Sequence, residues 1–270
     1  MHIVVESVLF FFLANAGLGQ PYSGESVSEV RISKLAIESS SLPDADRERI
    51  VRLFQQKTYF QDEIGERIRG ALRDLGYYKA VVNEPRFSFP TQAEGRRIAN
   101  VTVKVEPGAQ YRVAEIRFQK ATVFPATQRR TLFQVRKGDL FNVAKIVEGL
   151  EDMRKLYGTR GYVNLVAIPQ VMIDESRRTI DMVFDVDEGK PYDFGRLYLE
   201  GVEPYAGAGK VLLNSWKPLE GKRYNSLELE HWFLANQSSW NVKAPMYRSI
   251  TTTQRPVCCV VDLTLSQWDP

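Results

Sequence analysis

Apolar and polar positions alternate in three short runs of this chain. The runs are Val30-Arg-Ile-Ser-Lys-Leu-Ala-Ile37, Tyr111-Arg-Val-Ala-Glu-Ile-Arg-Phe118 and Tyr192-Asp-Phe-Gly-Arg-Leu-Tyr-Leu199. Corresponding residues stand 81 apart: Leu35, Ile116 and Leu197; Ile37, Phe118 and Leu199; Val30, Tyr111 and Tyr192. Such alternation marks strands with one buried face. A period of this length is a small domain, longer than the roughly 20–50 residues of a solenoid unit. The expected organisation is three copies of one fold, at 27–108, 109–190 and 191–265. Glu106-Pro-Gly108 and Glu188-Gly-Lys190 serve as short linkers.

The first copy gives the order of elements. After the opening strand, Asp44 and Asp46 suit the positive end of a helix whose apolar face is Ile50, Leu53 and Phe54. A second helix from about Asp62 carries Ile64, Ile68, Ala71, Leu72 and Leu75 at helical spacing, and Gly76 stops it. Two extended runs follow, Ala80 to Phe89 and Ile98 to Val105, separated by a turn at 92–95. The second copy follows the same plan, with a short helix around Pro125 to Phe133. Its second helix is capped by Asn142, carries Val143, Ile146, Val147, Leu150 and Met153, and ends at Gly161, expected in a left-handed conformation. Leu150 is expected in mid-stripe on the buried face. Strands from about Val163 to Ile173 and from Thr179 to Val186 close this copy. In the third, Gly221-Lys-Arg-Tyr-Asn225 matches Gly138-Asp-Leu-Phe-Asn142. A helix with Leu227 to Leu234 follows, and Val242–Ser249 and Val257–Leu265 are the expected closing hairpin.

Pro85, Pro169 and Pro245 each fall in the second strand of their copy. Proline cannot donate a ladder hydrogen bond, so these strands are expected at sheet edges. Such prolines blunt an edge against aggregation. An edge is also a surface on which an extended peptide adds as one more strand. On the second reading the docking edge is Val163, Asn164, Leu165, Val166, Ala167 and Ile168, the run before Pro169.

Composition narrows the function. A net charge of +3, with Lys and Arg spread along the chain, gives no footprint for nucleic acid. Val8 to Ala14 is an apolar run followed by Ala14-Asn-Ala16, the pattern of a secretory signal peptide over residues 1–16. The stretch before it, Met1 to Glu6, has no Lys or Arg, which leaves a plain apolar strand or a membrane anchor as other readings. Cys258 and Cys259 are adjacent and provide no disulfide framework. His2 and His231 are the only histidines, Asp62-Glu63 and Asp187-Glu188 sit at element ends, and the glycines lack phosphate-loop spacing. No catalytic, metal-binding or cofactor-binding residue is expected.

Residues 132–201 carry a resemblance. Gly138-Asp-Leu-Phe-Asn142, Tyr157, Arg160-Gly-Tyr162, Val171 with Asp174, Ile180 to Gly189, Tyr192 and Leu199-Glu-Gly201 together resemble the POTRA domain in its BamA/TamA-like surface-antigen form. The resemblance covers 27–201 well and 202–265 loosely. It implies an α+β fold of tandem βααββ modules, each a three-stranded mixed sheet with two helices on one face. It also implies a periplasmic location at the inner face of the outer membrane. The implied partners are unfolded outer-membrane β-barrel proteins, a partner barrel or an assembly subunit, with no enzymatic activity, cofactor, nucleic acid or small-molecule ligand. No series of amphipathic strands of roughly ten residues follows the third copy. The expectation is therefore a stand-alone scaffold, or the soluble part of a split or truncated barrel protein. A structural envelope protein that handles no clients is the competing reading.

Overall fold

The computed structural model describes residues 29–93, 96–200, 206–236, 248–252 and 259–264. The first stretch contains β1 (Glu29–Glu38), α1 (Asp44–Phe54), β2 (Thr58–Phe60), a 3₁₀ turn (Gln61–Glu63), α2 (Ile64–Asp74), β3 (Val81–Val82), β4 (Arg86–Ala93) and β5 (Arg96–Glu106). Next come β6 (Arg112–Gln119), α3 (Ala126–Thr131), α4 (Val143–Gly158), β7 (Val166–Asp174) and β8 (Thr179–Asp187). The last stretch holds β9 (Phe194–Glu200), α5 (Ala206–Trp216), α6 (Ser226–Ala235), β10 (Arg248–Thr252) and β11 (Cys259–Thr264). The class is α+β, and the order strand, helix, helix, strand, strand recurs.

Three sheets result. The first has the order β2-β1-β5-β3, with β4 also on β5. The second is β6-β8-β7 and the third β10-β11-β9. In the first and third sheets the opening strand pairs in parallel with the last one, β1 with β5 and β9 with β11. Buried Ala99, Val101, Val103 and Val105 of β5 alternate under the helices, and Ile50, Phe54, Ile64, Ile68 and Leu72 meet them. The opening strands are not simply alternating. Val30 and Ile32 are buried, then Leu35 and Ile37. The pairing with β5 slips between Ile32 and Lys34, where an extra residue restores the apolar phase. β9 shows the same irregularity between Phe194 and Leu197.

The described chain divides into two compact units. One contains the residues up to Arg117 together with Phe133–Glu148 and Pro169–Phe184. The other contains Phe118–Leu132, Gly149–Ile168 and the residues from Asp185 onward.

Several expectations shift in detail. Leu150 is half-buried, whereas Ile146, Met153 and Tyr157 are at most 4% exposed, so the buried line of α4 lies beside Leu150 and not on it. The 206–216 helix was not anticipated. It places Leu212 and Trp216 in the third core, with Phe194, Leu229 and Trp232. Pro85 separates β3 from β4, while Pro169 lies inside β7. Pro245 and the apolar N-terminal run fall outside the described residues.

Candidate functional site

Among the described residues, each opening strand is covered on its outer side, and the opposite side of each sheet ends in a strand with one neighbour. The loop entering the second helix closes the outer side of the opening strand by the same pair of bonds each time. Gln56 N donates to Ile32 O (2.7 Å) and Ile32 N to Lys57 O (2.9 Å). Gly138 N donates to Val113 O (2.8 Å) and Val113 N to Asp139 O (2.9 Å). Gly221 N donates to Phe194 O (2.8 Å) and Phe194 N to Lys222 O (2.7 Å). The turn needs a left-handed residue, and Gln56, Gly138 and Gly221 supply it with φ of 63°, 89° and 78°. The opposite edges are β7 and β10 in the second and third sheets, and β4 with β3 in the first.

β7 is the longest of these open edges and lies where Pro169 directs it. A proline in a sheet is confined to positions whose missing N–H faces away from the ladder. Pro169 therefore faces outward, and by the two-residue period so do the backbone groups of Ala167, Val171 and Ile173. On the first edge, β4 holds Pro90, and its pairing with β5 slips between Ser88 and Thr91.

Of the run expected as the docking edge, Val163 to Ile168, the structure places the second half in a strand. Val166, Ala167 and Ile168 open β7, but Val163, Asn164 and Leu165 form a turn. Val163 packs against the third core, Asn164 Nδ2 donates to Tyr192 Oη (2.8 Å), and Leu165 is 7% exposed. The chain must turn here to satisfy the last carbonyls of α4: Tyr162 N donates to Tyr157 O and Arg160 N to the same oxygen. The three residues precede the strand and anchor its start.

Glu188, the residue after β8, is a hub that the sequence marks only as an element end. Its carboxylate accepts from Thr122 N and Thr122 Oγ1 (both 2.7 Å), Val123 N (2.9 Å) and Tyr157 Oη (2.8 Å). Burial opposes its charge, but the hydrogen bonds from Thr122, Val123 and Tyr157 outweigh it and hold the carboxyl below its ordinary value. Burial and the bond to Glu188 push the Tyr157 hydroxyl up to about 12.

Two corners connect successive elements. Tyr111 N donates to Gly76 O and Tyr192 N to Gly161 O, both at 2.9 Å. At the first corner, Asn142 Nδ2 donates to Asp74 O (2.8 Å), and the Asp74 carboxylate accepts from Ala144 N (2.8 Å) at the start of α4. Burial raises the Asp74 carboxyl against the lowering effect of those amides. Tyr111 Oη donates to Glu175 (2.6 Å), which Lys79 also bridges. The bonds from Lys79 and Tyr111 lower the Glu175 carboxyl.

Among the described residues no group of three His, Cys, Asp or Glu side chains is placed to hold a metal. His231 is exposed on α6. An open groove of about 470 Å³ is lined by Val123, Thr159, Arg160, Tyr162, Pro191 and Arg223. Its cations are engaged: Arg160 donates to Val123 O and lies 4.2 Å over the Phe124 ring, and Arg223 pairs with Asp193 at 3.1 Å.

Residues 111–189 match the model of the POTRA family, described as the surface antigen variable number repeat. The outer membrane protein assembly factor BamA of Buchnera aphidicola subsp. Acyrthosiphon pisum is 26% identical over 182 residues, 66% of this chain. The chain spans 28% of that relative's length. The crystal structure of POTRA3-5 of Haemophilus influenzae BamA superposes with a TM-score of 0.66 at 17% identity, covering 88% of this chain and 97% of that one.

Proposed function

The chain is a POTRA-domain protein of the BamA/Omp85 superfamily, and from that premise we propose that it is a non-catalytic scaffold receiving β-barrel chains by strand addition during outer-membrane protein assembly. It works as three tandem modules, at 27–108, 109–190 and 191–265. It acts in the periplasm beside the outer membrane, after export by the signal at residues 1–16. Its partners are unfolded outer-membrane proteins or a subunit of the assembly apparatus, and it uses no cofactor.

The observation that carries the reading is the asymmetry of the sheets. Every opening strand has its outer edge closed by the same two-bond loop, and among the described residues the strand at the far side of each sheet is left terminal. A terminal strand presents main-chain donors and acceptors to any extended segment, so affinity comes from backbone and sequence preference is loose. One module edge is a small surface, so binding falls in roughly the micromolar-to-millimolar range.

Photo-crosslinkers at Val166 and Gln170 of the full chain test the reading. In envelope extract they are expected to capture unfolded barrel segments, whereas crosslinkers at the exposed Glu148 and Glu151 of α4 are not. Equal capture from α4 and β7 would eliminate strand addition.

A further inference from the structure

The two corners share one main-chain frame and differ in charge. Tyr111 N donates to Gly76 O and Phe141 N to Tyr111 O; Tyr192 N donates to Gly161 O and Tyr224 N to Tyr192 O. This frame makes Leu75 and Arg160, Tyr77 and Tyr162, and Leu140 and Arg223 equivalent positions. The loop before the first helix of each copy is also fixed alike, Arg47 donating to Ser39 O and Leu42 O, and Arg129 to Ala121 O and Phe124 O. That match makes Asp46 of α1 and Gln128 of α3 equivalent. At the first corner Tyr77 Oη donates to Asp46 Oδ2 (2.8 Å), and Leu75 is buried. At the second, Gln128 stands in place of the acid and arginines in place of both leucines. The Tyr162 hydroxyl has no hydrogen-bond partner among the described residues. Tyr162, Arg160 and Arg223 all line the open groove of about 470 Å³, within the second compact unit.

We infer that this groove is a docking site for a glutamate- or aspartate-rich segment of a partner protein, whose carboxylate takes the place that Asp46 holds at the first corner. Tyr162 Oη donates to that carboxylate, and Arg160 and Arg223 supply the opposite charge. Arg160 spends one N–H on Val123 O and lies over the Phe124 ring, with no carboxylate partner among the described residues. Arg223 is paired with Asp193, but the two side chains are 52% and 34% exposed, so the pair contributes little and rearranges readily. A guanidinium has five N–H donors, and its fork matches a carboxylate, so each arginine retains donors for a ligand. Glu188 cannot serve as the missing acid, because its oxygens are taken by Thr122, Val123 and Tyr157. Val123 and Pro191 add an apolar wall for the methylene stem of a glutamate. The groove is open, so it cannot enclose a free small ligand over most of its surface as small-molecule sites do. An acid carried on a peptide is held by its chain neighbours as well. The site works through side chains and does not rest on strand addition.

Two labelled ten-residue peptides, one alternating Glu with Ser and the other Gln with Ser, test this by fluorescence anisotropy with the full chain at low salt. The Glu peptide is expected to bind roughly 10-fold more tightly, an advantage that fades as salt rises. Arg160→Leu/Arg223→Leu, which installs the residues of the first corner, is expected to abolish the advantage. Arg52→Leu/Arg177→Leu removes two exposed cations elsewhere and is expected to retain it. Tyr162→Phe preserves the ring and is expected to reduce the advantage about 3-fold. Far-UV circular dichroism verifies the fold of each variant, and Tyr162→Phe decides the matter should the double leucine variant not fold. Equal affinity of wild type for the two peptides overturns the inference. So does an equal loss from the two double variants, which reports net charge alone. Binding to phosphatidylglycerol vesicles that Arg160→Leu/Arg223→Leu abolishes, with no preference between the peptides, assigns the groove to a lipid headgroup and overturns the inference too. Each of these outcomes leaves strand addition standing, since the peptides differ only in the charge of their side chains.

Discussion

Gly161→Ala separates a backbone effect from a packing effect because the chain holds an internal control. Gly76 and Gly161 end equivalent helices, with φ of 89° and 87°. Each accepts at its carbonyl from the tyrosine N–H just before the opening strand of the next copy, Tyr111 before β6 and Tyr192 before β9. Forcing alanine into this conformation costs about 1–2 kcal/mol, partly offset by the lower entropy of the unfolded alanine chain. That leaves about 1 kcal/mol, which is all the sequence alone would assign. The surroundings differ. At Gly76 an added Cβ would stand 3.3 Å from Tyr111 O and 3.4 Å from Leu140 Cδ2, contacts that a small shift relieves. At Gly161 it would stand 2.7 Å from Tyr192 O, 2.9 Å from Arg223 Cδ and 3.2 Å from Tyr192 N. Two of these atoms are backbone, so no rotamer change relieves them, and forced overpacking adds about 1–3 kcal/mol. Gly161→Ala is therefore expected to lose about 2–4 kcal/mol, and Gly76→Ala about 1 kcal/mol. Urea unfolding followed by tryptophan fluorescence reads the first well, because Trp216 and Trp232 are buried in the third core. Hydrogen exchange at the Tyr192 amide reads the corner itself and should accelerate only in Gly161→Ala. Losses equal within about 0.5 kcal/mol for the two variants, with Tyr192 protection intact, would refute the steric account.

Gln56→Gly is expected to raise stability by up to about 1 kcal/mol, since a non-glycine residue at φ 63° is strained and only an exposed bond from Arg31 to Gln56 is lost; a fall in the urea midpoint would contradict this. Met153→Ala should cost about 2–5 kcal/mol and the half-buried Leu150→Ala clearly less, so equal thermal shifts would mean that α4 is phased differently. The depressed Glu188 carboxyl contributes stability above its unfolded value near 4.5, and that stability is lost as pH falls through the lower folded value. Glu188→Gln should flatten the acid limb of a pH–stability curve; an unchanged limb would exclude Glu188 as its source. Tyr157, raised from 10.0 to about 12, contributes stability below pH 10 that is lost as pH rises through about 12, and Tyr157→Phe should shrink the alkaline limb, which Tyr77 and Tyr111 also feed, when unfolding is followed by circular dichroism.

The period of 81 carried much of the fold, because strands with one buried face write their pattern plainly. It also contained signals that local reading passed over. Leu212 and Trp216 stand 162 residues after Ile50 and Phe54, twice the period, and occupy the same buried helical positions. Ala206-Gly-Ala-Gly-Lys-Val-Leu masked that helix, since glycine is a poor helix former. β2 was hidden because Gln56 and Phe60 stand where the other copies have Gly138 and Asn142, or Gly221 and Asn225. Only the aromatic Tyr59 remained in register with Phe141 and Tyr224. The sequence pattern starts β7 three residues early because hydrophobicity does not distinguish Val163 and Leu165, which lie outside the strand, from Val166 and Ile168, which lie in it. The Glu188 hub left no trace at all. Its partners, Thr122, Val123 and Tyr157, are distant in sequence, and only tertiary folding assembles them.

Asp74 has a bearing on where this chain can be cut. It belongs to α2, yet its carboxylate holds the amide of Ala144, and its carbonyl holds the side chain of Asn142, which caps α4. A fragment beginning at residue 109 would keep the whole matched repeat but start its longest helix with the Ala144 amide facing water, a loss of the order of 1 kcal/mol for a missing cap. The dependence is mutual, because Asn142 Nδ2 also satisfies the carbonyl that ends α2. Ribosomal synthesis delivers α2 before α4, so the residue that completes the later helix is already present when that helix begins to form.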